Sequence, residues 1–458
     1  MGDAAGSQDM NSRLPELGPD ERDLILNCAR LNLDGPLLDH TEEILRRPLA
    51  WNAILPMSEL HSVAPLLHRH LKRFYDSDLI PAEARRTLFK ISHRVSYRNR
   101  QFSRAFQELH QVFAEAGIPI LVLKGLSLVE LIYGNLSLRP LIDLNLLIPR
   151  ERLETAKNVL SRMGYTVPTR YAARRLSRWL TSALHLVKPG DFKIQLLLQW
   201  DLIDRPRVHA IDLRSFWAEA KPAQISERDA LIPSPVDLVL YLCLQPDKHG
   251  YLNSCAVHLE DPAGFVFTEW TDNRLIRYTD IHEAIRHFQG TLRWETLVER
   301  AKAGGIEGSV YASLHWVTRL FGPTVEPWVL QALRPPSPRR LRRWLFEVLA
   351  QEKADRTSGM AVKAVFRAWW LRRRKASQLR LVRLLDLFEF VFPRPDEIRL
   401  HYRLHSRKVA SVHYAFHISK SLFLCTLGVP LWTYHLLTKR RPSPALRRET
   451  PFQGASRL

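Results

Sequence analysis

The sequence predicts an α+β protein in which a small mixed β-sheet lies between an N-terminal and a C-terminal helical region. In residues 22–115, apolar side chains recur at spacings of three and four, which is typical of helices. Residues 116–215 instead contain short apolar segments that are bounded by glycine or proline, which favours strands. Helical spacing returns in residues 216–334, where residues 251–275 lack any periodicity and are interpreted as an inserted loop.

Composition and termini complete the predicted organisation. Of 458 residues, 46% are hydrophobic and 25% are charged, which indicates a globular chain large enough for a substantial core. Residues 1–21 are polar, lack the apolar segment of a secretory signal, and are predicted to be a disordered tail. A basic helical region is predicted over 335–438, beginning with a proline-rich linker at 335–338, and it is followed by a disordered basic tail, 439–458.

The net charge and the spacing of the cysteines limit the classes of function that this protein can have. A formal charge of +20 indicates attraction to phosphate-rich partners such as a nucleotide, a nucleic acid or an anionic membrane surface. The 4 cysteines are far apart and have no C-x-x-C spacing, so neither a zinc site nor a disulfide framework is predicted. This pattern favours a reducing cytoplasm.

The basic region after residue 338 has a composition that suits more than one kind of binding partner. Arginines interleaved with tryptophans suit nucleic acid, through phosphate contacts and stacking, but they also suit an anionic membrane surface or a solvated helix face. The apolar segment 421–437 contains Gly428 and Pro430 and is short for a membrane span, which favours a packed or membrane-surface helix pair. The predicted location is cytoplasmic, with peripheral attachment at the inner face of the membrane as the alternative.

The strongest local signal lies between Ile118 and Ile148. An apolar strand, Ile120 to Leu123, is followed by a Lys124-Gly125 turn and by a short helix predicted over Ser127 to Tyr133. Such a turn directs backbone N–H groups and the positive helix end toward an anion. Lys124, Gly125 and Ser127 are therefore predicted to bind a phosphate group.

A second strand, predicted over Leu141 to Ile148, carries an acidic pattern. Asp143 and Asn145 are two residues apart, so their side chains point to the same face of the strand. Mg²⁺ prefers oxygen ligands, and the Asp143 carboxylate supplies a charged one, whereas Asn145 supplies only a neutral carbonyl oxygen. The pattern predicts that Asp143 and Asn145 are metal ligands.

Together these motifs resemble the nucleotidyltransferase-like family found in bacterial biosynthetic gene clusters, within the nucleotidyltransferase superfamily. The resemblance is carried by L-K-G, Tyr133, Arg139, D-L-N at 143–145, and a helix that ends in M-G-Y at 163–165. It implies a nucleotidyltransferase core, a nucleoside triphosphate bound with Mg²⁺, and transfer of a nucleotidyl group to an unknown acceptor. It also implies that Arg139 pairs with a triphosphate oxygen or holds Asp143 in place.

The sequence departs from that family at the acids. Asn145 stands where the family usually has a second carboxylate, and the third acid position holds Gln195 or Leu197, depending on the alignment. The usual histidine is replaced by Gln199. Because strand residues alternate, Asp201 is predicted to share their face and to join Asp143 and Asn145 as a catalytic residue.

Two functions follow from the resemblance. The first is a nucleotidyltransferase-like protein that binds a nucleoside triphosphate with Mg²⁺ and transfers its nucleotidyl group. The alternative is a catalytically inactive relative, acting as a nucleotide-binding or scaffold subunit in a bacterial biosynthetic pathway.

Overall fold

The fold was analysed in a computed structural model, which describes residues 17–168, 182–202, 211–248 and 274–334. All of them belong to one compact unit, Met1–Lys353. Four predictions lie wholly or mostly outside the described residues: the N-terminal tail, the inserted loop at 251–275, the basic region after 335, and the C-terminal tail.

The N-terminal region is helical, as its apolar spacing predicts. Its helices are α1 (Pro19–Cys28), α2 (Gly35–Leu45), α3 (Trp51–Leu60), α4 (Ala64–Leu71) and α5 (Ala82–Glu115), with a 3₁₀ turn at Lys72–Phe74 after α4. Helix α5 buries one continuous stripe of side chains along its length, spaced by three and four residues. Side chains in the first half of the stripe pack against α4, and those in the second half pack against one face of the sheet.

The sheet has six strands, and the Asp143-containing segment leads into one of its central strands. The strands are β1 (Leu121–Lys124), β2 (Leu144–Leu147), β3 (Ala183–Lys188), β4 (Ile194–Gln199), β5 (Lys221–Ile225) and β6 (Arg228–Ile232), in the order β3-β4-β2-β1-β6-β5. Strands β2 and β4 are parallel, as are β1 and β6, while the other neighbours are antiparallel. The predicted α+β class and mixed sheet are confirmed.

The two faces of the sheet pack against different helices. Between the first strands lies the short helix α6 (Leu126–Leu131), and β2 is followed by a 3₁₀ turn at Arg150–Arg152 and by helix α7 (Leu153–Arg162). Leu144 and Leu146 of β2 lie on one face of the sheet, in a core shared with α7 and the second half of α5. Leu147 lies on the opposite face, in the core built by the N-terminal helices and by those after β6. Because strand residues alternate, Asn145 lies on this second face.

Helices after the fourth strand cover the second face. They are α8 (Leu213–Ala218), α9 (Pro235–Lys248), α10 (Ile276–His287), α11 (Trp294–Ala303), α12 (Glu307–Phe321) and α13 (Pro327–Leu333). Strands β5 and β6 interrupt this helical region as an antiparallel hairpin that was not predicted. The sheet therefore extends to Ile232, beyond the predicted boundary at residue 215. None of the helices in the described ranges has the length and apolarity that crossing a membrane requires.

Candidate functional site

A β-bulge brings Lys124 to the side of the sheet that carries Asp143. Val122 pairs with Leu146, but the next pair is Lys124 with Asn145, so β1 contains one extra residue, Leu123. Directly paired residues point to the same face of a sheet. Without the bulge, simple alternation would direct Lys124 to the opposite face from Asn145, and the sequence pattern gave no sign of it.

Gly125 allows the chain to turn immediately after this bulge. Its φ is +75° and its ψ is −97°, a sparsely populated positive-φ conformation that favours glycine and costs residues with a Cβ atom about 1–2 kcal/mol or more. A Cβ at this position would lie 3.5 Å from the carbonyl oxygen of Asp143 and 3.9 Å from Asn145 Nδ2. The predicted Lys-Gly turn is therefore present, and it lies directly against the Asp143 segment.

Asp143 and Asn145 contact each other, as their spacing predicts. Asp143 lies just before β2, and Asn145 Nδ2 donates a hydrogen bond to Asp143 Oδ1 at 2.8 Å. The Oδ1 atom of Asn145 is buried and has no hydrogen-bond partner among the described residues. One amide acceptor beside one carboxylate is thus left unsatisfied at this point.

The register of β2 and β4 decides which residues stand at the third acid position. Asn145 pairs with Leu197 in the parallel ladder, and continuing that register by two residues places Gln195 beside Asp143. Neither side chain is ionisable. Asp143 is consequently the single carboxylate at these neighbouring positions of β2 and β4.

Asp201 lies outside the strand on which its predicted position depends, so its place on this face stays a prediction. Strand β4 ends at Gln199, and Asp201 lies two residues beyond it, where its Oδ1 atom accepts the backbone N–H of Leu202 at 2.7 Å. The prediction applied the alternation of strand side chains beyond Gln199, which is the last residue of β4. A catalytic role for Asp201 therefore has no support from the strand geometry.

Positive charge dominates the surroundings of Asp143. Burial lowers the pKa of Lys124, Asp143 partly offsets this effect, and Arg139 and Arg277 reinforce it. Burial also lowers the pKa of Arg98, again with a partial offset from Asp143. In the described part of the chain, the Lys124 ammonium makes no hydrogen bond or ion pair. Such a partly buried cation is available for an anionic ligand.

Arg139, by contrast, already has a protein partner. Its Nε and Nη2 atoms donate to the two carboxylate oxygens of Asp280 at 2.7 and 2.6 Å, and Tyr133 Oη donates to Asp280 Oδ1 at 2.8 Å. Burial alone lowers the pKa of Arg139, but the charge and hydrogen bonds of Asp280 outweigh it and raise the pKa above its ordinary value. Its third nitrogen, Nη1, has only a long bond of 3.4 Å to the Pro140 carbonyl. The predicted contact with a triphosphate therefore depends on Nη1 alone.

Ser127 is not open to a ligand in this structure. It lies in the first turn of α6, it is buried, and its hydroxyl has no hydrogen-bond partner among the described residues. Helix α6 begins at Leu126 and is only 6 residues long, which limits the strength of any helix dipole. The anion-binding groups with structural support are thus Lys124 and the Gly125 turn.

Three further residues around the site were missed in the sequence. Asn99 of α5 accepts the backbone N–H of Leu141 at 3.0 Å and donates to the carbonyls of Leu136 and Arg139. Its position within the apolar stripe of α5 was the available signal, because a polar side chain there must find partners. Asp280 and Tyr241, which accepts from Gln199 at 3.0 Å, gave no comparable signal in the sequence because their partners are distant along the chain.

These residues fit one Mg²⁺ ion better than two. A single Mg²⁺ in a nucleotide site is commonly held by one or two carboxylates together with the phosphates of the ligand. The Asp143 carboxylate and the unsatisfied Asn145 oxygen provide such ligands, and the ion would neutralise part of the triphosphate charge beside Asp143. Among the described residues there is no group of three His, Cys, Asp or Glu side chains suited to hold a metal, and the Leu197 side chain supplies no metal ligand beside Asn145.

Comparison with known proteins gives one match. A family model described as uncharacterised nucleotidyltransferase matches residues 47–322, a range that contains the whole sheet and the helices from α3 to α12. Neither the curated proteins nor the solved structures contain a match to this chain.

Proposed function

The chain belongs to the uncharacterised nucleotidyltransferase family, and on that premise we propose that Lys124, the Gly125 turn and Asp143 bind a nucleoside triphosphate together with one Mg²⁺ ion. The observation that carries this proposal is the bulge at Leu123, because it directs Lys124, whose ammonium has no partner among the described residues, to the face that holds Asp143 and Asn145. Lys124 supplies positive charge for the phosphates, and the Gly125 turn lets the ligand approach the backbone.

Nucleotidyl transfer to an acceptor would follow only slowly from such a site. Transfer is usually driven by two divalent ions that activate the acceptor and stabilise the leaving pyrophosphate. With Asn145 and Leu197 in place of carboxylates, the second ion lacks ligands. The acceptor is expected to be a small molecule or a macromolecule of unknown identity.

A second candidate function is supported by that same substitution pattern. In it, the protein binds the nucleotide without transferring it and serves as a nucleotide-binding or scaffold subunit in a bacterial biosynthetic pathway. Leu197 opposite Asn145 favours this alternative, because an apolar residue there removes a metal ligand while preserving the fold.

Calorimetric titration tests the nucleotide binding that both functions share, and an assay for released pyrophosphate then separates them. The protein is titrated with ATP, GTP, CTP and UTP, each with and without Mg²⁺, beside the variants Asp143→Ala and Asn145→Asp. The exposed Asp39, whose side chain makes no hydrogen bond or ion pair among the described residues, provides the control Asp39→Ala.

Metal-dependent binding that Asp143→Ala abolishes and Asp39→Ala preserves would support the nucleotide site that both functions share; release of pyrophosphate from the bound triphosphate would then support the first function, and its absence the second. Binding that is absent from the wild-type protein but appears with Mg²⁺ in Asn145→Asp would leave only the scaffold form of the second function. If no triphosphate binds to any variant, the proposal that this site binds nucleotides is wrong.

A further inference from the structure

A cleft separate from the Asp143 site has the dimensions of a ligand-binding site. It has a volume of about 630 Å³ and is formed by α4, the 3₁₀ turn after it, the first half of α5, and the loop 133–138. Small-molecule sites usually fall in the range of roughly 300–1,000 Å³. The described residues that line it include neither Lys124 nor Asp143.

The residues that line the cleft carry positive charge. Arg69 and Lys72 line it, both are exposed, and neither makes an ion pair or a side-chain hydrogen bond within the described ranges. No aspartate or glutamate occurs among its described lining residues. Two neighbouring cations without acids match the charge of a phosphate dianion.

The cleft also has an aromatic wall. Phe89 lines it with 59% of its surface exposed, although most large apolar side chains of the described residues are buried. Its ring centroid lies 6.2 Å from that of His93 at an interplanar angle of 28°, and 6.1 Å from that of His68 at 71°. His68 is held in turn by the hydroxyl of Tyr75 at 2.8 Å. These rings provide a surface on which a planar group can stack.

The floor of the cleft offers one more polar group. Ser92 lines it with a buried hydroxyl that has no hydrogen-bond partner among the described residues, which is unusual for a native interior. Tyr133 forms part of the same wall, and its hydroxyl donates to Asp280 of the Arg139–Asp280 pair. The cleft thus contacts the network that supports the loop leading to Asp143.

We propose that this cleft binds a small molecule that carries both a phosphate monoester and a planar ring. Arg69 and Lys72 bind the phosphate, and Phe89 with His93 stacks on the ring. This proposal goes beyond nucleotide binding at Lys124 and does not depend on it, because the two sites share no side chain that contacts a ligand.

Ligand-observed NMR titration of the full chain tests the proposal with phenyl phosphate as the probe. Benzoate tests whether a carboxylate suffices, and inorganic phosphate tests whether the ring contributes. We expect phenyl phosphate to bind about tenfold more tightly than either, since each lacks one of the two recognised features.

The cleft residues have matched controls on the same helix or nearby. Arg69→Gln with Lys72→Gln is expected to weaken phenyl phosphate binding about tenfold, whereas Arg104→Gln with Lys90→Gln leaves it unchanged, because these exposed cations lie outside the described lining. Phe89→Ser is expected to weaken binding by about threefold or more, whereas Tyr97→Ser, at 57% exposure, does not. Neither Phe89 nor Tyr97 is buried, so both variants should fold.

Several outcomes would overturn the proposal. Equal losses in the cleft and control variants would show attraction to general surface charge, and loss in Asp143→Ala would place the probe in the nucleotide site. Absence of phenyl phosphate binding would refute the site outright. Tighter binding of a single-stranded oligonucleotide that competes with the probe and depends on Arg69, Lys72 and Phe89 would replace the small molecule by a nucleic acid.

Discussion

Arg139 and Lys124 are both cations close to Asp143, yet their electrostatic situations are opposite. Arg139 donates two hydrogen bonds to Asp280, and this carboxylate raises its pKa against the effect of burial. Lys124 has no partner among the described residues, and burial lowers its pKa. A buried cation with a full set of partners supports the fold, whereas one without partners costs stability and remains available to a ligand. In this small region, the charge of Arg139 therefore supports the fold, whereas the charge of Lys124 is available to a ligand.

Removing Asp280 should produce the largest loss of stability. Asp280→Ala leaves the buried Arg139 guanidinium unpaired, which is expected to lower the free energy of unfolding by about 3–5 kcal/mol in denaturant titrations. Arg139→Met combined with Asp280→Leu should recover much of that loss, because no buried charge then remains unpaired.

An exposed ion pair provides the control for this prediction. Glu83→Ala removes the partner of Arg86, where both side chains are mostly exposed, and should change stability little. If Asp280→Ala is no more destabilising than Glu83→Ala, then Asp280 does not stabilise the loop that leads to Asp143, and the contrast between Arg139 and Lys124 fails.

His61 extends the comparison to a group that burial keeps neutral. Burial, reinforced by Arg274, lowers its pKa from 6.5 to about 3, and its Nδ1 atom accepts the backbone N–H of Leu275 at 3.2 Å. Between these pH values the unfolded chain binds a proton that the folded chain does not, so stability falls as the pH falls. The expected slope from His61 is about 1.4 kcal/mol per pH unit, or about 2 kcal/mol between pH 6.5 and 5.

Denaturant titrations from pH 5 to 7 measure this slope. His61→Gln should reduce it, while His287→Gln, at an exposed position, should not. An unchanged slope in His61→Gln would show that other groups cause the acid sensitivity.

A substitution at Gly125 tests the backbone conformation of the site rather than its charge. Gly125→Ala must keep a φ of +75°, which is expected to cost about 1–2 kcal/mol of stability. The nearest atoms would lie at ordinary contact distance, 3.5 Å, so the cost comes from the backbone conformation rather than from a clash. Gly308→Ala is the control, because Gly308 lies in α12 with a helical backbone and nothing within 4 Å of the added Cβ. Equal stability of the two variants would mean that the turn tolerates another conformation.

The sequence predicted the local elements of this fold well. The strand, Lys-Gly turn, short helix and Asp143 strand all follow from residues that are neighbours along the chain, and so does the contact between Asp143 and Asn145. The hairpin at 221–232 was missed because its partly polar strands show little of the apolar alternation that identified the other strands.

The features that were not predicted depend on residues distant in sequence or on strand register. The bulge at Leu123 changes which way Lys124 points, but it is defined only by pairing with β2. The placement of Gln195 beside Asp143 and of Leu197 beside Asn145 likewise required the β2–β4 register, and the role of Arg139 required Asp280, 141 positions away. Local patterns contain none of this information, because register and long-range pairing arise from tertiary packing.

Lys124 gives the smallest expected change in stability and the sharpest test of the comparison. Lys124→Met removes a desolvated charge without leaving a partner unpaired among the described residues, so the free energy of unfolding should stay within about 0.5 kcal/mol of the wild-type value or rise. Calorimetric binding of a nucleoside triphosphate should nevertheless be lost, whereas Lys90→Met, at an exposed position of α5, should retain it. A large loss of stability in Lys124→Met would show that Lys124, like Arg139, supports the fold through Asp143. Unchanged stability with lost binding would establish that the bulge at Leu123 presents this lysine for a ligand.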